Sequence, residues 1–161
     1  MGWCAAIQGG RERVLRTAAT ASRAIACAVA IGACGASATA ATTHSGSLVG
    51  VREANFRIST VHSVTAGRIT FDVANAGPDR HEFNIVALGS GLRAGRLPLR
   101  ADGFTVNEEL LASRELASVA PQEPGHSTQL TVTLPPGRYV LFCNMEGHYM
   151  AGMFSELTVT R

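Results

Sequence analysis

The chain has 161 residues, an apolar fraction of 46% and a formal net charge of +2. That is enough for one globular domain behind a leader. All fourteen basic residues are Arg, and from Gly35 onward ten Arg meet eleven Asp and Glu, a balance near −1. Nothing in this balance suggests the basic face that nucleic-acid binding requires.

Four of the Arg residues (Arg11, Arg13, Arg16 and Arg23) precede a short apolar run from Ala24 to Ala33. The run is too short to span a bilayer and has the shape of an export-signal core, so residues 1–34 are expected to be an export signal. The charged stretch before it is long, which leaves a start at Val14 open. Two ends of the signal compete. Ile31-Gly32-Ala33-Cys34 resembles a lipobox, which would make Cys34 a lipidation site and the first residue of an anchored protein. Ala36-Ser37-Ala38 or Ala38-Thr39-Ala40 would instead release a soluble one. Residues 35–47, rich in Ala, Thr, Ser and Gly, read as a flexible linker, with His44 solvated within it.

Strand-like alternation fills residues 48–161. Val49, Val51, Phe56 and Ile58 mark a first strand, broken near Ala54-Asn55. Ile69, Phe71 and Val73 face inward on the next. Asn75-Ala76-Gly77-Pro78 is turn chemistry, and it opens a strand on which His81, Phe83 and Ile85 share one face. Asn107 is placed to cap a short helix over 107–112, and Glu115 to Val119 reads as a brief strand. Gln129 to Leu134 alternates again. Tyr139, Leu141 and Cys143 line one face of the strand after Pro135-Pro136-Gly137, and Phe154 to Thr160 closes the sheet. Seven or eight short strands with Gly and Pro turns predict an all-β, Greek-key antiparallel sandwich.

Cys143 is the only thiol of that domain, because Cys4, Cys27 and Cys34 precede it. An exported protein with a lone Cys forms no internal disulfide, and a bound metal would keep such a sulfur as thiolate. His148 and Met153 follow Cys143 at five-residue intervals in a Gly-containing loop, where Gly147 and Gly152 let the chain fold back. Thiolate, imidazole and thioether suit copper once a second imidazole completes the set, and His81 is the candidate. Met145 and Met150 compete with Met153 for the weak axial place. His62 and His126 lack companions and read as surface residues.

These residues resemble those of the cupredoxins, the type 1 blue copper proteins. The Cys-x4-His-x4-Met spacing, the Asn-x-Gly segment before His81-Glu82-Phe83 and the Pro-Gly-x-Tyr-x-x-x-Cys-Asn approach are similar to the rusticyanin and sulfocyanin group. The resemblance covers residues 48–161. It implies one type 1 copper per domain, held by His81, Cys143, His148 and Met153. One departure stands out. Plastocyanins and azurins commonly carry an Asn after the upstream His, tying the two ligand segments together. Glu82 takes that place here, and Asn144 is an alternative source of a linking amide. Both are expected to surround the site and tune it. Tyr149 is a candidate to cover the exposed edge of the metal.

Two functions follow from this reading. One is an envelope protein, in the periplasm or on the outer face of the cytoplasmic membrane, that carries single electrons between redox partners by transient docking. It would be a monomer, touching the membrane only through a lipid on Cys34. The other is copper trafficking or resistance, because Met145, Met150 and Met153 beside Cys143 would hold Cu(I). An enzyme is not expected. A copper oxidase or nitrite reductase needs a second copper centre and further His clusters, and five scattered His do not supply them. A binuclear electron-entry site needs a second Cys four residues on, where Gly147 stands.

Overall fold

The structure is a computed structural model and describes residues 46–161. The export signal, the lipidation site Cys34 and most of the linker lie outside the described residues.

Among the described residues the chain forms nine strands: β1 (Ser47–Ala54), β2 (Arg57–Ser59), β3 (Ser63–Thr65), β4 (Gly67–Asn75), β5 (His81–Ala87), β6 (Glu115–Gln122), β7 (Ser127–Leu134), β8 (Gly137–Phe142) and β9 (Phe154–Thr160). They build two sheets, in the orders β2-β1-β4-β7 and β3-β9-β8-β5-β6. The all-β sandwich is as the alternation predicted. Two pairings, β1 with β4 and β3 with β9, are parallel. Alternation reports which face a side chain takes and is blind to strand direction, so these pairings carry no sequence signal. The expected break at Ala54-Asn55 separates β1 from β2, and β2 folds back on β1 with Glu53 opposite Ile58. The helix expected after Asn107 is one 3₁₀ turn, Glu108–Leu111, whose Leu110 N–H donates to the Asn107 side chain.

The space between the sheets holds Val49, Val51, Ile69, Phe71, Val73, Phe83, Ile85, Leu141 and Leu157, all buried. Cys143 and Met153 belong to this core. Strand β5 is buried on both faces, because residues 88–111 cover the outside of its sheet. Val86, Leu88, Leu97, Val106, Leu111, Val140, Phe142 and Tyr149 form a second core there. Burying one such aliphatic or aromatic side chain stabilises the fold by roughly 1.5–3 kcal/mol. The ladder between β5 and β6 shifts register between His81 and Phe83. Such irregularities re-aim side chains at sheet ends, and this one lies where His81 enters the sandwich.

Candidate metal centre

His81 stands at the first position of β5, on the inward row of Phe83 and Ile85, and is fully buried. Its Nε2 lies 3.0 Å from Asn55 Oδ1. Asn55 in turn donates its amide to Asp79. The ring nitrogen that faces Asn55 is therefore the one carrying hydrogen, which leaves Nδ1 free as a donor to a metal. Gly77 is required by close approach: a Cβ there would sit 2.8 Å from His81 Nε2 and 2.9 Å from Asn55 Oδ1. The turn before β5 is fastened by Asn75, whose amide donates to the carbonyls of Asp79 and Gln122.

The other donors come from one loop. Cys143 directly follows β8, and its N–H donates to the Met153 carbonyl at 3.1 Å. The loop closes on itself: His148 N–H donates to Met145 O, and Met153 N–H to His148 O. Gly147 and Gly152 have φ of 78° and 99°, a region that side chains other than Gly rarely adopt. Met153 is fully buried in the inner core with Cys143. Met145 is half-buried against the same core and Met150 is exposed.

These two segments meet. His81 Nδ1 and His148 Nδ1 are 3.2 Å apart, and Cys143 Sγ lies 3.4 Å from His148 Nδ1. The three donor atoms all fall within 4.8 Å of one another. Imidazole nitrogen and thiolate sulfur sit about 2.0–2.3 Å from a shared first-row ion, which places them about 3–4.5 Å from each other. The separations fit one ion among them. The Glu82 N–H points at Cys143 Sγ from 3.5 Å. Burial pushes the thiol pKa up to about 12, against the pull of backbone N–H groups of Glu82 and Met145. Burial also lowers the pKa of both imidazoles, so they stand neutral and ready to bind.

Glu82 performs the tie between the ligand segments. Its Oε1 accepts from Asn144 N–H at 3.0 Å and from Asn84 Nδ2 at 3.2 Å. Burial raises its pKa. The Asn144 side chain reaches elsewhere, accepting from Val106 N–H at 2.6 Å and donating to Val106 O and Glu108 Oε1. It fastens the ligand loop to the covering segment rather than to β5. Tyr149 does not cover the site edge. It is buried in the outer core, where its hydroxyl donates to Ala94 O at 2.6 Å and accepts from Leu97 N–H. The next residue after His148 turns to the opposite side of the loop, and the hydroxyl finds carbonyl and amide partners there. The ring beside His148 is instead Phe56, edge-on at 5.0 Å between centroids. His62 and His126 are exposed, as expected.

Sequence reasoning missed Asn55, Phe56 and Glu53. The first two lie in the irregular break between β1 and β2, where no periodicity applies. Glu53 stands on the inward face of β1 and is fully buried. Its place in the row of Val49 and Val51 was the available signal.

No protein-family model matches the chain, and no curated protein matches it by sequence. Solved structures do. The chain is similar to auracyanin B, at 26% identity and a TM-score of 0.54 over 73% of this chain and 90% of that one. It is also similar to the dithionite-reduced auracyanin of the photosynthetic bacterium Roseiflexus castenholzii, at 24% identity and a TM-score of 0.50 over 72% of this chain and 97% of that one. Two imidazoles, one thiolate and a buried thioether at the mouth of a two-sheet sandwich define a type 1 copper centre. On fold and donor set together, the chain is cupredoxin-like.

Proposed function

We propose that the protein carries single electrons between redox partner proteins outside the cytoplasm, with one copper ion held by His81, Cys143, His148 and Met153. The observation that carries this reading is the assembly of three donor atoms within 4.8 Å by the protein's own contacts. Copper bound there would supply a one-electron couple in a ligand set intermediate between the preferences of its two oxidation states. The chain's part is to hold that set still. Asn55 fixes the His81 ring, the Glu82 N–H directs the sulfur, and the self-closed loop fixes His148. A site that moves little on gaining an electron exchanges electrons fast.

His148 is the ligand nearest solvent, and exposed apolar side chains lie near it. Phe56 packs on its ring, Met150 follows in the same loop, and the Phe104 carbonyl accepts from Gly147 N–H. A small apolar surface of this kind suits brief docking to a partner. The leader reading supports export, with Cys34 as the lipid anchor if the lipobox is used.

The test is the visible and EPR spectrum of the protein after addition of Cu(II), followed by reduction and reoxidation. The expected result is an intense thiolate-to-copper charge-transfer band with narrow copper hyperfine splitting that returns on every cycle. A pale spectrum, or reduction to a Cu(I) form that does not reoxidise, would turn the reading to copper trafficking. An N-terminus at Cys34 bearing lipid, read by mass spectrometry of the native protein, checks the anchor.

A further inference from the structure

Glu53 is the strangest residue of the inner core. It ends the inward row Val49, Val51, Glu53 of β1, it is fully buried, and neither carboxylate oxygen has a hydrogen-bond partner among the described residues. Its buried polar neighbours are engaged. Asn75 is tied to Asp79 and Gln122, His81 to Asn55, Asn84 to Glu82, and Gln122 donates to the Val73 carbonyl, leaving only its own Oε1 free.

Among the described residues no cation faces this carboxyl. On its own strand Arg52 is exposed. On β2 the opposed residue is Ile58 and Arg57 is exposed. On β4 the opposed residue is uncharged Asn75 and Asp72 is exposed. On β6 Gln122 is neutral, and just beyond it Glu123 is exposed and paired with Arg80. From the facing sheet come Glu82, which acts on Glu53 as a like charge, and Cys143, whose sulfur feels the charge of Glu53 in turn. A carboxylate with neither counter-ion nor hydrogen bond is costly in such a place, and the neutral acid is far less so. Burial first, and Glu82 second, raise its pKa to about 8.

We propose that Glu53 is a proton-binding site beneath the metal centre, occupied at neutral pH, which takes up a proton when the centre is reduced and releases it on oxidation. This rests on the electron-carrier reading above. The balance is simple. One electron arrives from a one-electron donor protein and stays at the centre. One proton arrives from bulk water and forms an O–H bond at a Glu53 oxygen, and no other bond breaks. Added negative charge near Cys143 disfavours the Glu53 carboxylate, so the reduced protein binds the proton more tightly than the oxidised one. By linkage the reduction potential must then fall as pH rises between the two proton affinities.

Two measurements on the full chain test this, with Glu53→Gln and, against a folding failure of the amide, Glu53→Met. The first is infrared difference spectroscopy of the metal-free protein. A protonated-carboxyl carbonyl band, shifted in heavy water, is expected at pH 6. It should fade as pH passes about 8 and be missing from both variants. The second is the midpoint potential of the copper-loaded protein against pH, falling through this window in the native chain and flat in both variants. Absence of the band at pH 6 overturns the proton site. A slope equal in all three proteins, or a flat profile in the native chain, overturns the redox link. Failure of the native chain to give the charge-transfer band would sink the electron-carrier reading and the redox link with it, while the infrared band still decides whether Glu53 holds the proton.

Discussion

His81 and His148 approach within 3.2 Å at their Nδ1 atoms, yet different parts of the molecule hold them. His81 belongs to the sheet. It is fully buried, its far nitrogen is held by Asn55, and Gly77 packs against its ring with no room for a methyl group. His148 belongs to the loop. It is only half-buried, and it is placed by backbone hydrogen bonds to Met145 and Met153 and by the edge of Phe56. One ligand is fixed by the scaffold and three ride on a segment that closes on itself. A rigid wall and an accessible edge are what a site needs to keep its geometry and still meet a partner.

The largest expected effect removes the atom both sides share. Cys143→Ser keeps the size of the buried side chain and deletes the sulfur, so the charge-transfer band should vanish completely. The metal-free protein should stay folded, by circular dichroism. Next in size is the proton on that sulfur. Burial holds it with a pKa of about 12, so the metal-free protein is a thiol throughout the neutral range. Metal binding must expel one proton. The lowered pKa of His81 and His148 means that neither adds another near neutrality. Copper affinity should therefore rise at least about tenfold per pH unit between pH 7 and 8, more steeply for Cu(II) if it also displaces the Glu53 proton, as competition with a chelator of known affinity will show. Affinity independent of pH would mean that the thiolate is already formed.

Two substitutions separate the wall from the edge. Gly77→Ala places a Cβ 2.8 Å from His81 Nε2 and forces the ring or Asn55 to move. A loss of about 1–3 kcal/mol by urea unfolding is expected for this overpacking, together with a displaced charge-transfer band. Glu82→Ala cuts the tie between β5 and the ligand loop. It leaves the Asn144 N–H without its acceptor, at a cost of about 1–3 kcal/mol, whereas Glu82→Gln keeps an oxygen in place and should recover most of that stability. Equal losses in the two Glu82 variants would show that the tie depends on charge.

The sequence made the loop side of the site legible and left most of the wall unread. Cys143, His148 and Met153 lie within eleven residues, so their spacing alone reports a shared site. His81 was legible because strand alternation placed it on the row of Phe83 and Ile85. Asn55 was not, since it acts across 26 positions from a break between strands. Glu82 and Asn144 were both recognised as surroundings of the site, but which of them makes the link depends on long-range contacts, Glu82 Oε1 accepting from the Asn144 N–H while the Asn144 side chain turns to Val106 and Glu108. Tyr149 failed as a cover because adjacent loop residues take opposite sides, and a second core waits on the other side. That core is itself built from residues 88–111, where the pattern is loose because burial is on one irregular surface rather than on a strand or helix period.

The smallest expected effect lies at the accessible edge. Phe56 is 43% exposed and touches His148 edge-on. An aromatic pair of this kind contributes roughly 0.5–1.5 kcal/mol, and the exposed half of the ring adds little through burial. Phe56→Ala should therefore lower stability by about 1 kcal/mol or less and leave the charge-transfer band in place, because no ligand loses a hydrogen bond. Its effect should appear in the rate of electron exchange, measured by nuclear magnetic line broadening in a mixture of oxidised and reduced protein. If Phe56 is part of the docking surface, the rate falls while the spectrum holds. If it only shields His148, opening the edge makes exchange faster. A band that shifts as much in Phe56→Ala as in Gly77→Ala would break the comparison itself, since the edge would then be shaping the metal geometry as strongly as the wall.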